Sequence, residues 1–184
     1  MFYNYYANIK VKFALENKID CNKTKISISE MVLPNHTNNL NTLFGGKLMY
    51  WMDMAAAICA NKNTKKISVT ASVDNITFKS PIFKGDIVTI TAFITRVFNT
   101  SMEIFIEVSS QNSESQKTVI SNSAFFTFVT LNEKRKPVKS IEVKPNTEEE
   151  KKLFDGALRR RQLRLILAGK MKPEEADELK SIFN

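Results

Sequence analysis

The run LFGGKLMYWMDMAAAICA, residues 43–60, restricts the fold more than any other stretch of the chain. Positions 44, 48, 51, 52, 55, 58 and 59 are apolar at helical spacing, and residues 49, 54, 56, 57 and 60 carry apolar side chains on the remaining faces. A helix apolar all round belongs at the centre of a core. One carboxylate, Asp53, interrupts it. Removing water from a charge is costly unless a partner compensates, so Asp53 is the first candidate for chemistry. Gly45 and Gly46 open the helix, and without Cβ atoms they allow close approach to the free N–H groups of its first turn. Such a terminus favours a phosphate, a carboxylate or an oxyanion. A tight turn from loop to helix is the plainer reading of the same two glycines.

The flanking residues supply strands. Ile26 and Ile28 alternate with Lys25, Ser27 and Ser29, and the apolar parity then switches to Met31 and Leu33, which predicts a strand with an irregularity near Glu30. Residues 35–41 are turn-formers that lead to the helix. After a basic connection at 61–66, four strand-like runs follow at 67–78, 87–98, 101–109 and 118–131, read as an antiparallel meander with a bulge near Asp74 and Asn75. In the first of these, Val69, Ala71 and Val73 share the apolar parity. One strand, one long helix and this meander predict an α+β domain with the sheet wrapped around the helix.

Residues 132–145 are charged and carry two prolines, marking the way out of the domain. Thr147 then precedes three glutamates, with arginines 159–161 further on, the charge order of a helix aligned with its own dipole. Gly169 and Pro173 interrupt it before a short final helix. Residues 1–23 show aromatics without a period and are taken as an N-terminal extension.

Composition narrows the chemistry. The chain has 184 residues, one histidine and two cysteines, so a metal site would lack imidazole ligands and Cys-His catalysis would rest on His36 alone. Cys21 and Cys59 sit in dissimilar settings, which argues against a disulfide. No apolar run is long enough to span a bilayer and no signal peptide is legible, so a cytoplasmic location is expected. The formal charge of +8 suits an anionic partner without identifying nucleic acid, and much of it lies in residues 151–164.

With these blocks in place the chain resembles the hotdog-fold acyl-CoA thioesterases, specifically the single-domain bacterial cytosolic acyl-CoA hydrolases. The similarity covers residues 24–137, with 138–184 as a basic helical tail. It rests on LPNHTNNLNTLFGGKLM (33–49), WMDMAA (51–56), VTASVD (69–74), FKSP (78–81) with Gly85 and Asp86, TSME (100–103) and FTFV (126–129), in that order and spacing. Asn41 and His36 stand where relatives often have Gly and Asp. The resemblance implies hydrolysis of acyl-CoA to free fatty acid and coenzyme A, with no cofactor, since coenzyme A is part of substrate and product.

The resemblance also assigns roles. Asp53 is the general base or nucleophile and Asn38 positions water or thioester, while on chemical grounds a thioester carbonyl at the helix start would find the Gly46 amide, with that of Gly45 beside it, as oxyanion donors. Ser72, Val73, Asp74, Thr100 and Ser101 are placed at the substrate and its coenzyme A, and Arg96 is a candidate for the coenzyme's phosphates on grounds of charge. Asn38 and Asp53 are expected to come from different subunits of a homodimer, three of which commonly form a hexamer. No nucleic acid and no metal enters this reading. A non-catalytic acyl-CoA-binding or regulatory hotdog protein remains the alternative, and a dehydratase would need a better histidine than His36.

Overall fold

The computed structural model describes residues 18–181, so most of the expected N-terminal extension lies outside the described residues. The chain divides into two compact units, one ending at Lys144 and the other beginning at Pro145. In the first, β1 (Ile19–Asp20), β2 (Ile26–Met31), α1 (Gly45–Thr64), β3 (Ser68–Phe78), β4 (Ile87–Val97), β5 (Ser101–Gln111), β6 (Thr118–Thr130) and β7 (Val143–Lys144) follow in order. The main sheet has the order β2-β4-β5-β6-β3 with every neighbouring pair antiparallel, and β1 pairs with β7 in a small parallel sheet.

The predicted α+β layout, a sheet around a central helix, is present, but the meander is shorter than expected. Only β4, β5 and β6 follow one another across the sheet, while β3 lies beyond β6 at the far edge. The connection from β3 to β4 is long enough to cross by way of the first turn of α1, where Ile82 is buried and its carbonyl accepts the Leu43 N–H at 2.7 Å. Gly85, at φ +89, makes the turn that follows. The next residue, Asp86, braces that turn by accepting from the Phe83 N–H (2.9 Å), Ser110 Oγ (3.1 Å) and Asn112 Nδ2 (3.1 Å). The irregularity expected near Glu30 is absent, since β2 pairs with β4 without a shift from Ile26 to Met31. The bulge expected near Asp74 is present as a register shift between Asp74 and Thr77, and a second shift falls between Thr70 and Ser72.

The core lies between α1 and one face of the sheet. Met52, Ala55, Ala56, Cys59 and Ala60 are buried in the helix, facing Ile90 and Ile94 of β4, Ile104 and Ile106 of β5, and Phe126 and Phe128 of β6. Each large side chain fully buried here contributes about 1.5–3 kcal/mol, so packing rather than any polar contact holds α1 in place. The helix runs past the expected residue 60 and ends at Lys65, whose φ of 53° is left-handed and whose N–H bonds to Asn61 O at 2.9 Å. Its apolar residues are not all buried, contrary to expectation. Met49, Tyr50, Met54 and Ile58 are 40%, 56%, 42% and 41% exposed, because the sheet covers only one side of the helix.

The second unit contains α2 (Glu148–Leu167) and α3 (Asp177–Lys180). Thr147 caps α2 by accepting from the Glu150 N–H at 3.1 Å, and Glu150 Oε2 accepts in return from the N–H groups of Asn146 and Thr147. This is the reciprocal cap that the Thr147–Glu150 spacing allows. Gly169 takes the left-handed φ of 66° beyond the helix, and Gln162 Oε1 accepts from Leu179 N–H at 2.8 Å to fold α3 back.

Candidate active site

Asp53 occupies the third turn of α1, at the border between the buried stripe and the exposed one. Its Oδ1 accepts a hydrogen bond of 2.7 Å from Thr70 Oγ1 on β3. The strand register explains the meeting. Thr70 is paired with Phe128 and Val73 with Phe126, both buried on the helix side of β6, so Thr70 and Val73 share the face that α1 covers. The shift between Thr70 and Ser72 turns Ser72 and Asp74, opposite Thr127 and Phe125, to the other face. Val69 and Val73 are exposed although their parity reads as a core face, because β3 is an edge strand with β6 on one side only. Thr70 was therefore missed by pattern reading. The available signal was a hydroxyl residue inside the VTASVD block, on the parity taken to face solvent.

The start of α1 is built by the loop before it. Phe44 N–H donates to His36 O at 2.9 Å, and the edge of the His36 ring meets the buried Trp51 at 5.2 Å between centroids. Lys47 and Leu48 make the first-turn bonds to Phe44 O, at 2.9 and 3.1 Å, and Phe44 provides no side-chain cap. Among the described residues the N–H groups of Gly45 and Gly46 are left to an acceptor outside the helix. Aromatic rings flank both glycines. A Cβ on Gly46 would stand 3.1 Å from the Phe44 ring, and one on Gly45 would touch the Phe78 ring at 3.5 Å. Beside this turn lies a cavity of about 260 Å³ lined by Leu43, Leu48, Phe78, Ile82 and Asn122. Asn122 is buried, donates through Nδ2 to Thr77 O at 2.9 Å, and leaves Oδ1 without a partner among the described residues.

Asn38 is tied into its own loop. Its Oδ1 accepts from the Leu40 N–H (2.8 Å), the Thr42 N–H (3.3 Å) and Thr42 Oγ1 (3.1 Å), and its backbone N–H donates to Thr42 O at 2.9 Å. Asn41 follows at φ 57°, a left-handed conformation that asparagine tolerates better than most residues. Within one chain the structure joins Asp53 to Thr70, and among the described residues the side-chain bonds of Asn38 run to Leu40 and Thr42. Arg96 stands opposite the buried Glu103 and is engaged with partners of its own. Thr100 and Ser101 form the β4–β5 turn, with Thr100 O accepting from Thr130 N–H at 3.0 Å and Ser101 O from Phe98 N–H at 2.8 Å.

A family model, the thioesterase superfamily, matches residues 40–116. The chain is 39% identical over 140 residues to an uncharacterized acyl-CoA thioester hydrolase, YkhA, of Bacillus subtilis, covering 76% of this chain and 81% of that protein. A hexameric acyl-CoA thioesterase solved in its apo form superposes with a TM-score of 0.79 at 35% identity, over 83% of this chain and 97% of that one. An acyl-CoA hydrolase of Staphylococcus aureus, solved with butyryl coenzyme A, coenzyme A and coenzyme A disulfide, superposes with a TM-score of 0.75 at 32% identity, over 82% and 94%. Variants of that enzyme have been solved with an asparagine, an aspartate or a threonine replaced by alanine, three positions that lie 15 and 17 residues apart along its chain.

Proposed function

The chain belongs to the thioesterase superfamily as an acyl-CoA thioester hydrolase, and on that premise we propose that Asp53, aligned by Thr70, is the general base that hydrolyses the thioester. The observation that carries this reading is the 2.7 Å bond from Thr70 Oγ1 to Asp53 Oδ1, which fixes one carboxylate oxygen and leaves the other to take a proton. Asn38, Asp53 and Thr70 follow one another at the same intervals, 15 and 17 residues, as the three residues replaced in the S. aureus enzyme, which supports treating them as one site.

The steps balance with water as the only co-reactant. Asp53 takes a proton as water attacks the thioester carbonyl carbon, and the oxyanion that forms is held by the Gly45 and Gly46 amides, a contribution of about 3–4 kcal/mol for a well-placed donor. Collapse breaks the C–S bond, and the proton passes from Asp53 to the departing thiolate of coenzyme A. The acyl group occupies the cavity beside Gly45, against Leu43, Leu48, Phe78 and Ile82, which share its lining with Thr42, Lys79, Ser80 and Asn122.

The site is completed by a second copy. The exposed edge of β3 and the exposed stripe of α1 form one apolar surface that a partner's equivalent surface would cover, bringing Asn38 of one subunit to Asp53 of the other. A hexamer of three such dimers, equal in copy number to the hexameric neighbour, and a cytoplasmic location complete the reading. Among the described residues no helix is long and apolar enough to cross a membrane.

Free-thiol release from a panel of acyl-CoAs tests the proposal. Wild-type protein releases coenzyme A, and Asp53→Asn, nearly isosteric and unable to take the proton, loses about 10²–10⁴-fold in kcat with its oligomer intact. Near wild-type turnover in Asp53→Asn removes Asp53 from the mechanism.

A further inference from the structure

Strand β6 presents alternate side chains to the helix, and Ala124, Phe126 and Phe128 fill those positions with buried apolar groups. Asn122 takes the preceding position of the same parity. It is 1% exposed and is paired in register with the buried Val108 of β5 and with Phe78 of β3. A carboxamide in such a place is costly unless both of its ends are bonded, since both have left water. One end is satisfied, because Nδ2 donates to Thr77 O at 2.9 Å. That bond also fixes which way the amide points, as a backbone carbonyl can only accept. The other end, Oδ1, is a buried acceptor with no donor among the described residues. A clasp between β6 and the end of β3 explains the nitrogen and leaves the oxygen unexplained.

Asn122 is part of the wall of the cavity beside the glycine turn. Among the polar residues of that wall, Thr42 and Ser80 are half-buried and Lys79 is exposed, so solvent reaches them, whereas Asn122 is buried together with Leu48 and Ile82. Phe78 connects this wall to the reacting end, since its ring lies 3.5 Å from where a Cβ on Gly45 would stand and its backbone is paired with Asn122. The cavity of about 260 Å³ holds roughly eight groups the size of a water molecule, at about 30 Å³ each. That is room for a short acyl chain with a substituent. An oxygen that can only accept selects a substituent that donates, which a hydroxyl does and a hydrocarbon, a ketone or a carboxylate does not.

We infer that Asn122 is a specificity-determining residue that selects acyl groups carrying a hydroxyl along the chain, with Oδ1 accepting from that hydroxyl in the cavity beside Gly45. The inference rests on the acyl-CoA reading above, which gives the cavity to an acyl group of any kind, and adds the chemical class of that group. A buried acceptor discriminates more sharply than an apolar wall, because a plain chain leaves it unpaired while the hydroxylated chain completes it. The bond from Nδ2 to Thr77 O holds the carboxamide in place before the substrate arrives, so little ordering is needed on binding.

The test compares coenzyme A thioesters of hexanoic acid, of its hydroxy derivatives from the β-carbon to the ω-carbon, and of its keto derivatives, which are polar but cannot donate. Wild-type protein is expected to hydrolyse one of the hydroxyhexanoyl thioesters with kcat/KM about tenfold above that for hexanoyl-CoA, the worth of one hydrogen bond to a buried group otherwise left unpaired, and to show no such preference for the ketones. Asn122→Leu, apolar and of similar size, should bring the ratio of hydroxylated to plain substrate close to one. A purely structural clasp would change both substrates together and leave the ratio as it was. Wild-type protein that prefers none of the hydroxylated chains, or prefers the ketones equally, overturns the inference without recourse to any variant, and so does a preference that persists in Asn122→Leu. Wild-type protein that releases thiol from none of these thioesters overturns instead the functional reading on which the inference rests.

Discussion

Thr70 and Asp53 are 17 residues apart in sequence and 2.7 Å apart in space. The hydroxyl neither accepts nor supplies the transferred proton in the scheme above. It occupies Oδ1 and thereby sets the direction in which Oδ2 meets water, a positioning role. Thr70→Ala is accordingly expected to lower kcat by about 10–100-fold while leaving KM close to wild type, since misplacing a reacting group by about an ångström costs up to 10²-fold. Thr70→Ser keeps the donor and should restore most of the rate. Steady-state kinetics on the two variants checks this, and a Ser variant as slow as the Ala variant would reduce Thr70 to a packing residue. Asp53 is legible from sequence because a lone carboxylate stands out in an apolar helix. Thr70 is not, because its partner lies on another element and a bulge reverses the parity by which its facing would be judged.

Helix α1 combines a packed face with an end that serves chemistry. Cys59 belongs to the packed face: it is fully buried, donates from Sγ to Thr24 O at 3.4 Å, and is pushed up to about 12 by burial from an ordinary value of 9.0. Its thiol stays protonated in the folded protein while the unfolded chain ionises above pH 9.0. The stability that the buried neutral thiol contributes is complete below pH 9.0 and is lost as pH rises towards about 12, with a slope of up to about 1.4 kcal/mol per pH unit. Wild type, about 1 kcal/mol more stable than Cys59→Ala at neutral pH, should lose that lead within about one pH unit above 9.0 and fall below the variant as pH rises towards about 12, as read from denaturant midpoints. A constant difference across the window would show that the thiol ionises as readily in the folded state. The same burial predicts that neither Cys59 nor the buried Cys21 reacts with thiol reagents until the protein is unfolded.

At the scale of the whole molecule the two edges of the main sheet differ. The β2 edge carries Ser27, Ser29 and Glu30 among its side chains, and its serines bond across to Thr91 and Thr89 of β4. The β3 edge presents Val69, Val73 and Phe78, with Ile67 just before it, all exposed. Polar edges resist pairing and apolar ones invite it, so β3 is the edge at which the proposed second copy joins. If Asn38 of one subunit serves Asp53 of its partner, co-expressed Asn38→Ala and Asp53→Asn chains regenerate one intact site in each mixed dimer. About half of the dimers formed at random from equal pools are mixed, so activity should recover to about a quarter of the wild-type value per chain, while the pure variants stay impaired. No recovery in purified mixed dimers would mean that each site is built within one chain.

The amino-acid sequence by itself determined the features that depend on neighbours along the chain. The central helix with its lone carboxylate, the four strands after it, and the Thr147–Glu150 cap of α2 follow from periodicity and capping, which act over a few residues. Only the tertiary structure decided that β3 lies at the edge beyond β6, that α1 keeps an exposed apolar stripe, and that Thr70 stands under Asp53. Each of these depends on which strand pairs with which and in what register, and that choice is made by the fit of distant side chains around one core rather than by any local pattern.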